Sequence, residues 1–173
     1  MIANYSEVDS LSEITMKNID DILSMEEILE ISGLDMMKGI LNGVYPPAPI
    51  SRLLNYYVQA VEKGKVVFRG TPNLESRNPM GTLHGGWYGT ILDSAMACAV
   101  MTTLPKGKIQ TTLEFKVNII RPIPAQVTVD AIGTVEHAGR STGVAVGRII
   151  DVDTGKLYAS ASTTCIIMTP KLK

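Results

Sequence analysis

The stretch His84-Gly85-Gly86-Trp87-Tyr88-Gly89-Thr90-Ile91-Leu92-Asp93-Ser94-Ala95-Met96-Ala97-Cys98-Ala99-Val100-Met101-Thr102-Thr103-Leu104 decides the fold. From Gly86 to Leu104 it reads as a helix that is apolar nearly all the way round, and a helix with no polar face is buried on most sides. Its neighbours read as strands. Before it come Leu53–Ala60 and Lys65–Gly70 about a turn at Glu62-Lys63-Gly64, then a loop containing Pro72, Asn73, Asn78 and Pro79. After it, Thr111–Ile120 alternates, with Leu113, Phe115, Val117 and Ile119 on one side and Thr112, Glu114, Lys116 and Asn118 on the other. Arg121-Pro122-Ile123-Pro124 breaks that strand. Gln126–His137, Ser141–Val152 and Lys156–Met168 follow, with turns at Ala138-Gly139 and Asp153-Thr154-Gly155. Short turns imply antiparallel neighbours. One buried helix and one antiparallel sheet predict an α+β chain whose sheet curls around the helix, with Ala159, Ser160, Ala161 and Ser162 permitting close approach.

Working outward, residues 1–23 are a polar lead-in. Ser24 and Glu27 form a capping-box signature for a helix running towards Gly43 and Pro46-Pro47. Its Ile28, Leu29, Met36, Met37 and Ile40 suit a face that covers the main body or, alternatively, lines a substrate tunnel. The expected division is 1–45 for this lead-in and covering helix and 46–173 for the main domain. A chain of 173 residues with net charge −1 has no basic face, which argues against a nucleic-acid partner. Cys98 and Cys165 sit in apolar stretches and read as small buried hydrophobes. The first residues lack the basic and apolar regions of a secretory signal, and no apolar run approaches the roughly 18 residues of a membrane span. The expectation is a cytoplasmic protein, in which Asn4-Tyr5-Ser6 is no glycosylation site. Two histidines and two cysteines have no ligand spacing, so neither a metal nor another cofactor is expected.

Asp93 is the most informative residue. A carboxylate inside a core-like helix costs several kcal/mol unless it is paired or hydrogen-bonded, which makes it a candidate functional group. The alternatives are a structural carboxylate satisfied by nearby donors, or one on a narrow exposed stripe. The second feature is His84-Gly85-Gly86, which opens the helix. Bare backbone N–H groups at the positive end of a helix dipole can hold an oxyanion, although a Gly-Gly pair is often only a turn and a lone histidine often structural. His84 and Asp93 lie nine residues apart, about 13 Å of rise and half a turn out of phase. The two cannot easily serve one atom from the same helix. If both act on one substrate, Asp93 comes from a neighbouring subunit, as a two-fold dimer would supply.

The segment Asn78-Pro79-Met80-Gly81-Thr82-Leu83-His84-Gly85-Gly86, followed by Leu92-Asp93-Ser94-Ala95, strongly resembles the PaaI-like branch of the hotdog-fold thioesterases. The resemblance runs from about Gly43 to Met168 and takes in Thr111-Thr112-Leu113-Glu114, Val117-Asn118 to Arg121-Pro122, and Gly139-Arg140-Ser141-Thr142. It implies a sheet wrapped around a long central helix, here with an added N-terminal helix. It also implies a dimer or dimer of dimers, and acyl-CoA entering along the dimer interface. On the same resemblance, Gly85 N–H with His84 would polarise the thioester carbonyl. Asp93 of the other subunit would act as general base or nucleophile, Asn78 would position water or thioester, and Thr112 would orient water.

For CoA itself, Gly86, Arg140, Arg121 and Lys108 are candidates, the cations as phosphate partners unless they are merely solvated surface charges. Trp87 and Tyr88 border the acyl group or belong to the core. The competing reading is a non-catalytic acyl-CoA or lipid-ligand binding protein on the same fold, which has no need of a base.

Overall fold

The computed structural model describes residue 16 and residues 18–171. Most of the polar lead-in, Asn4-Tyr5-Ser6 included, lies outside them. Three short helices come first: α1 (Met25–Leu29), α2 (Gly33–Leu41) and α3 (Pro49–Leu53). The capping box forms as read, with Glu27 N–H donating to Ser24 Oγ and Ser24 N–H donating to a Glu27 carboxylate oxygen. The single N-terminal helix expected from the sequence is instead two. Ser32 begins the second one by accepting from Asp35 N–H, a polar cap that interrupts the first.

The strand expected over Leu53–Ala60 also begins later. Pro49 pre-sets the φ of the first turn of α3, Asn55 takes a left-handed φ of 55°, and β1 then runs Tyr56–Glu62. Gly64 turns it into β2 (Lys65–Gly70). The long helix α4 (Gly85–Met101) follows, then β3 (Ile109–Ile119), β4 (Val129–Ala138), β5 (Thr142–Asp151) and β6 (Leu157–Met168).

The six strands form one antiparallel sheet in the order β1-β2-β4-β5-β6-β3. Neighbours joined by short turns do pair, but β3 and β4 do not. The chain crosses between them, leaving β3 at one edge and β1 at the other. The sheet wraps α4, ten of whose 17 residues are buried. The tightest approach is made by glycines on the inner face of β4 and β5 rather than by the small residues of β6. A Cβ on Gly133 would collide with the Ala95 carbonyl, and one on Gly147 would lie 2.9 Å from the Leu92 and Met96 side chains.

Candidate active site

A sheet with two free edges does not close around its helix. On α4 the residues Gly86, Thr90, Asp93, Ser94, Cys98 and Met101 escape full burial, while their neighbours on the other faces are enclosed. Spacings of three and four put these on one stripe, and the two edge strands flank it. Asp93 is therefore half-buried on a narrow open stripe, not sealed in the core. Thr112 Oγ1, from β3, donates to Asp93 Oδ1 at 2.9 Å. Asp93 Oδ2 carries no hydrogen bond among the described residues.

Thr112 reaches Asp93 because of an irregularity that simple alternation does not anticipate. Thr112 pairs with Cys165 and Glu114 with Thr164, so Leu113 is an inserted residue in β3. A bulge of this kind re-aims the side chains on either side of it. Before it, Gln110 and Thr112 face α4; after it, Phe115, Val117 and Ile119 do. The expected grouping of Leu113 with Phe115 is corrected: Leu113 is 59% exposed, and Thr112 takes the inward position. Gln110, in the same row, donates through Nε2 to Ala97 O at 3.2 Å.

At the other end of α4, His84 is the N-cap. Its Nδ1 accepts from Gly86 N–H at 2.9 Å. A nitrogen that accepts carries no proton, so the neutral ring's N–H sits on Nε2 and is the ring's available donor. Gly86 thus spends its N–H inside the cap. Gly85 N–H, first in the helix, has no acceptor among the described residues and lies at the positive end of the dipole. His84, Gly85 and Gly86 are all exposed. Two free donors, Gly85 N–H and His84 Nε2–H, therefore sit at one helix start.

The remaining candidates are placed as follows. Asn78 organises its own loop: Nδ2 donates to Thr82 Oγ1 at 2.7 Å, and Oδ1 accepts from the N–H groups of Met80 and Thr82. Trp87 lies in the core, 2% exposed, with Nε1 donating to Leu54 O. Tyr88 is equally enclosed; its hydroxyl donates to Arg121 O and accepts from Ile123 N–H, pinning the chain after β3. Arg121 Nη1 donates to Leu157 O. Lys108 Nζ donates to Arg140 O, so these two sit side by side. They are at the start of β3 and Arg121 is just past its end, and a strand of 11 residues spans about 36 Å. One chain does not bring its three cations together.

Sequence reasoning missed Tyr56, whose hydroxyl is 3.0 Å from Ser94 Oγ on the same stripe. Its inward place on β1 was the available signal, obscured by the misplaced strand start. Burial raises the Tyr56 hydroxyl above its usual range. Burial, reinforced by the Asp93 charge and then by Cys165, pushes the Cys98 thiol up to about 12. Cys98 is no thiolate nucleophile at neutral pH. The carboxylate of Asp93 is the stripe's candidate reactive group.

The sequence profile described as the thioesterase superfamily matches residues 80–158, the span that holds α4, Asp93, Thr112 and the helix start. No curated protein matches the chain. Among solved structures, a phenylacetic acid degradation-related protein from Ralstonia eutropha is 28% identical, with TM-score 0.68, covering 75% of this chain and 98% of its own. PaaI from Escherichia coli, encoded in a phenylacetic acid degradation operon, is 20% identical with TM-score 0.70, covering 82% and 100%. The smu.793 protein of Streptococcus mutans, solved bound to acetyl CoA, is 24% identical with TM-score 0.61, covering 68% and 92%.

Fold and sequence together make the chain similar to the thioesterases of the hotdog fold. Within it, the resemblance to the PaaI-like branch holds.

Proposed function

We propose that the protein is an acyl-CoA thioesterase that releases a free acid and CoA, with each active site shared between two copies of the chain. The observation that carries this is Asp93, held at one oxygen by Thr112 and free at the other, on the single uncovered stripe of an otherwise enclosed helix. The acetyl CoA bound by the structurally similar Streptococcus protein favours an acyl-CoA as substrate. The proposed catalytic unit is 46–173, with 1–45 as covering segment. No helix among the described residues is long and apolar enough to cross a membrane, and the proposed location is cytoplasmic.

The free edge supports the shared site. β3 exposes Leu113, Phe115 and Ile119 along an unpaired row of backbone groups, an arrangement that seeks another strand. A second copy related by a two-fold axis would pair β3 with β3 antiparallel, start beside end. That pairing sets the Lys108–Arg140 end of one chain beside the Arg121 end of the other, giving the CoA phosphates a common cationic border. It also turns the α4 helices against each other, so that Asp93 of one faces the helix start of the other.

In that arrangement Gly85 N–H and His84 Nε2–H donate to the thioester oxygen. Asp93 Oδ2 takes a proton from water as the water oxygen bonds to the carbonyl carbon. Collapse of the oxyanion breaks the C–S bond, and the sulfur leaves with the proton that Asp93 returns. Thr112 keeps the carboxylate oriented, Asn78 sets the loop leading into the helix, and the general base contributes about 10²–10⁴-fold.

The test is thiol release from a panel of short, long and aromatic acyl-CoAs, with the particle mass followed by light scattering. Turnover that Asp93→Asn lowers at least about 100-fold without loss of folding supports the assignment. Tight acyl-CoA binding with no turnover on any member makes the protein a binder instead, and an active monomer refutes the shared site.

A further inference from the structure

The hydroxyls that border the open stripe of α4 are nearly all committed. Thr90 Oγ1 donates to Gly86 O at 2.9 Å, one turn back along the helix. Thr112 Oγ1 donates to Asp93 Oδ1. That leaves Tyr56 and Ser94, whose oxygens lie 3.0 Å apart and share one hydrogen bond between two protons.

Burial assigns its direction. Tyr56 is 3% exposed, packed edge-on against Phe68, and a Cβ on Gly70 would stand only 2.7 Å from its own Cβ. Were Ser94 the donor, the Tyr56 proton would be buried with no acceptor among the described residues, and an unmet buried donor costs more than one shared bond returns. Tyr56 therefore donates and Ser94 Oγ accepts. Ser94 is the half-buried member of the pair. A helical serine often spends its proton on the carbonyl four residues back. Here that carbonyl is Thr90 O, and among the described residues Ser94 bonds only to Tyr56. Its O–H is left over on the open stripe, next in the chain to the carboxylate.

We propose that Ser94 O–H, aimed by Tyr56, hydrogen-bonds an oxygen of the acyl group, so that the enzyme favours acyl-CoAs with a hydroxyl or keto oxygen on the second or third carbon. This rests on the thioesterase reading of Asp93. The sheet sets the side. Thr112 approaches Asp93 from β3, and the cations proposed for CoA lie at the two ends of that strand. Tyr56 approaches Ser94 from β1, the opposite edge. With CoA along β3, the acyl group extends from the thioester carbon towards β1 and meets Ser94. The reach agrees. A water about 2.8 Å from Asp93 Oδ2 and about 3–3.5 Å from the carbon it attacks places that carbon about 5 Å from the carboxylate. Ser94 follows Asp93 by about 100° and 1.5 Å on a helix about 10–12 Å across, which sets the two side-chain tips about 8 Å apart. An oxygen on the second or third carbon closes the remaining gap with a hydrogen bond of about 2.8 Å. A carboxylate in that place would be repelled by Asp93, which restricts the class to neutral oxygens.

The experiment measures kcat/KM for butyryl-CoA and for 2-hydroxybutyryl- and 3-hydroxybutyryl-CoA, each enantiomer separately, with the full-length protein. At least one hydroxyacyl-CoA is expected to exceed butyryl-CoA by about 3–10-fold, the worth of one neutral hydrogen bond. Ser94→Ala is expected to abolish that ratio while leaving butyryl-CoA within about twofold. Tyr56→Phe keeps Ser94 but frees its hydroxyl to turn to Thr90 O, and is expected to shrink the ratio in the same direction. A merely structural role would lower all substrates together, and thermal melting reads folding directly. If Tyr56→Phe does not fold, the ratio in Ser94→Ala decides alone. A wild type that favours no hydroxyacyl-CoA, or a ratio that Ser94→Ala leaves unchanged, overturns the proposal while leaving the thioesterase assignment intact. Absence of turnover on every acyl-CoA overturns both.

Discussion

Replacing Gly85 by proline deletes one backbone N–H and little else. Gly85 is the first residue of α4, the one helical position where proline is welcome because its missing N–H has no partner within the helix. The preceding residue, His84, has φ −66° and ψ 137°, inside the extended region that a residue before proline adopts. A Cβ at Gly85 would stand 3.5 Å from Ile119 Cδ1, an ordinary contact. The helix is therefore expected to survive the change while the proposed oxyanion donor disappears. Loss of one such donor costs about 10²–10³ in kcat, or about 2.7–4 kcal/mol of transition-state stabilisation. Gly85→Ala is the control, since it adds the same Cβ and keeps the N–H. The assay is thiol release from the best acyl-CoA at saturation, with thermal unfolding followed by circular dichroism. If the folded proline variant turns over within about fivefold of the alanine variant, Gly85 N–H does not hold the oxyanion.

Two further changes probe the carboxylates. Thr112→Val removes the 2.9 Å bond to Asp93 at nearly constant volume; a hydrogen bond to a charged group is worth about 1.5–3 kcal/mol. The expected loss in kcat/KM is about 10–100-fold, with Thr112→Ser restoring most of it; equal rates for Val and wild type would mean that Asp93 is oriented by something else. Asp151 accepts from the N–H groups of Asp153 and Thr154 and from Tyr158 Oη–H, and the Thr154 backbone bond, foremost, holds its carboxyl below the usual range. A carboxyl depressed in the folded state stabilises above its unfolded pKa of about 3.9 and loses that contribution as pH falls through the folded value. Asp151→Asn should therefore lower Tm at pH 7, with the gap from wild type closing as pH falls through the carboxyl's folded-state value; a gap that persists unchanged into acid would refute the role given to its charge.

Much of the fold was legible in the sequence because it rests on long apolar patterns. α4 starts within a residue of the reading, β2 matches it, and β5 and β6 begin one residue later than read. These segments have no competing local signal. The misreadings arise where polar groups decide. Ser32 splits the N-terminal helix with a cap that resembles ordinary helix surface. Pro49 and Asn55 insert α3 where an apolar run suggested strand. Trp87 was a plausible pocket residue by type, but the Leu54 carbonyl that takes its N–H is 33 positions away in the chain, and no local reading finds such a partner. The edge position of β3 was hidden for a related reason: strand order depends on which pairings survive a crossover, and alternation is the same at the edge and in the middle.

The bulge at Leu113 joins these two kinds of information. Alternation is strictly period two, so one inserted residue exchanges the faces of everything before it. Counting back from Phe115 and Val117, which do face α4, assigns Thr112 to solvent; the structure turns it to Asp93. The insertion has a cost, since it leaves Leu113 out of the ladder and 59% exposed. With Leu113 in the chain, a bulge at this point is what keeps Thr112 on the Asp93 side of the sheet. That same irregularity sits on the edge expected to receive the second copy, where the same sequence paired without a bulge would put a hydroxyl on the outer face and leave both oxygens of Asp93 to solvent. The register of β3 and the hydrogen bond that orients Asp93 both turn on this single residue.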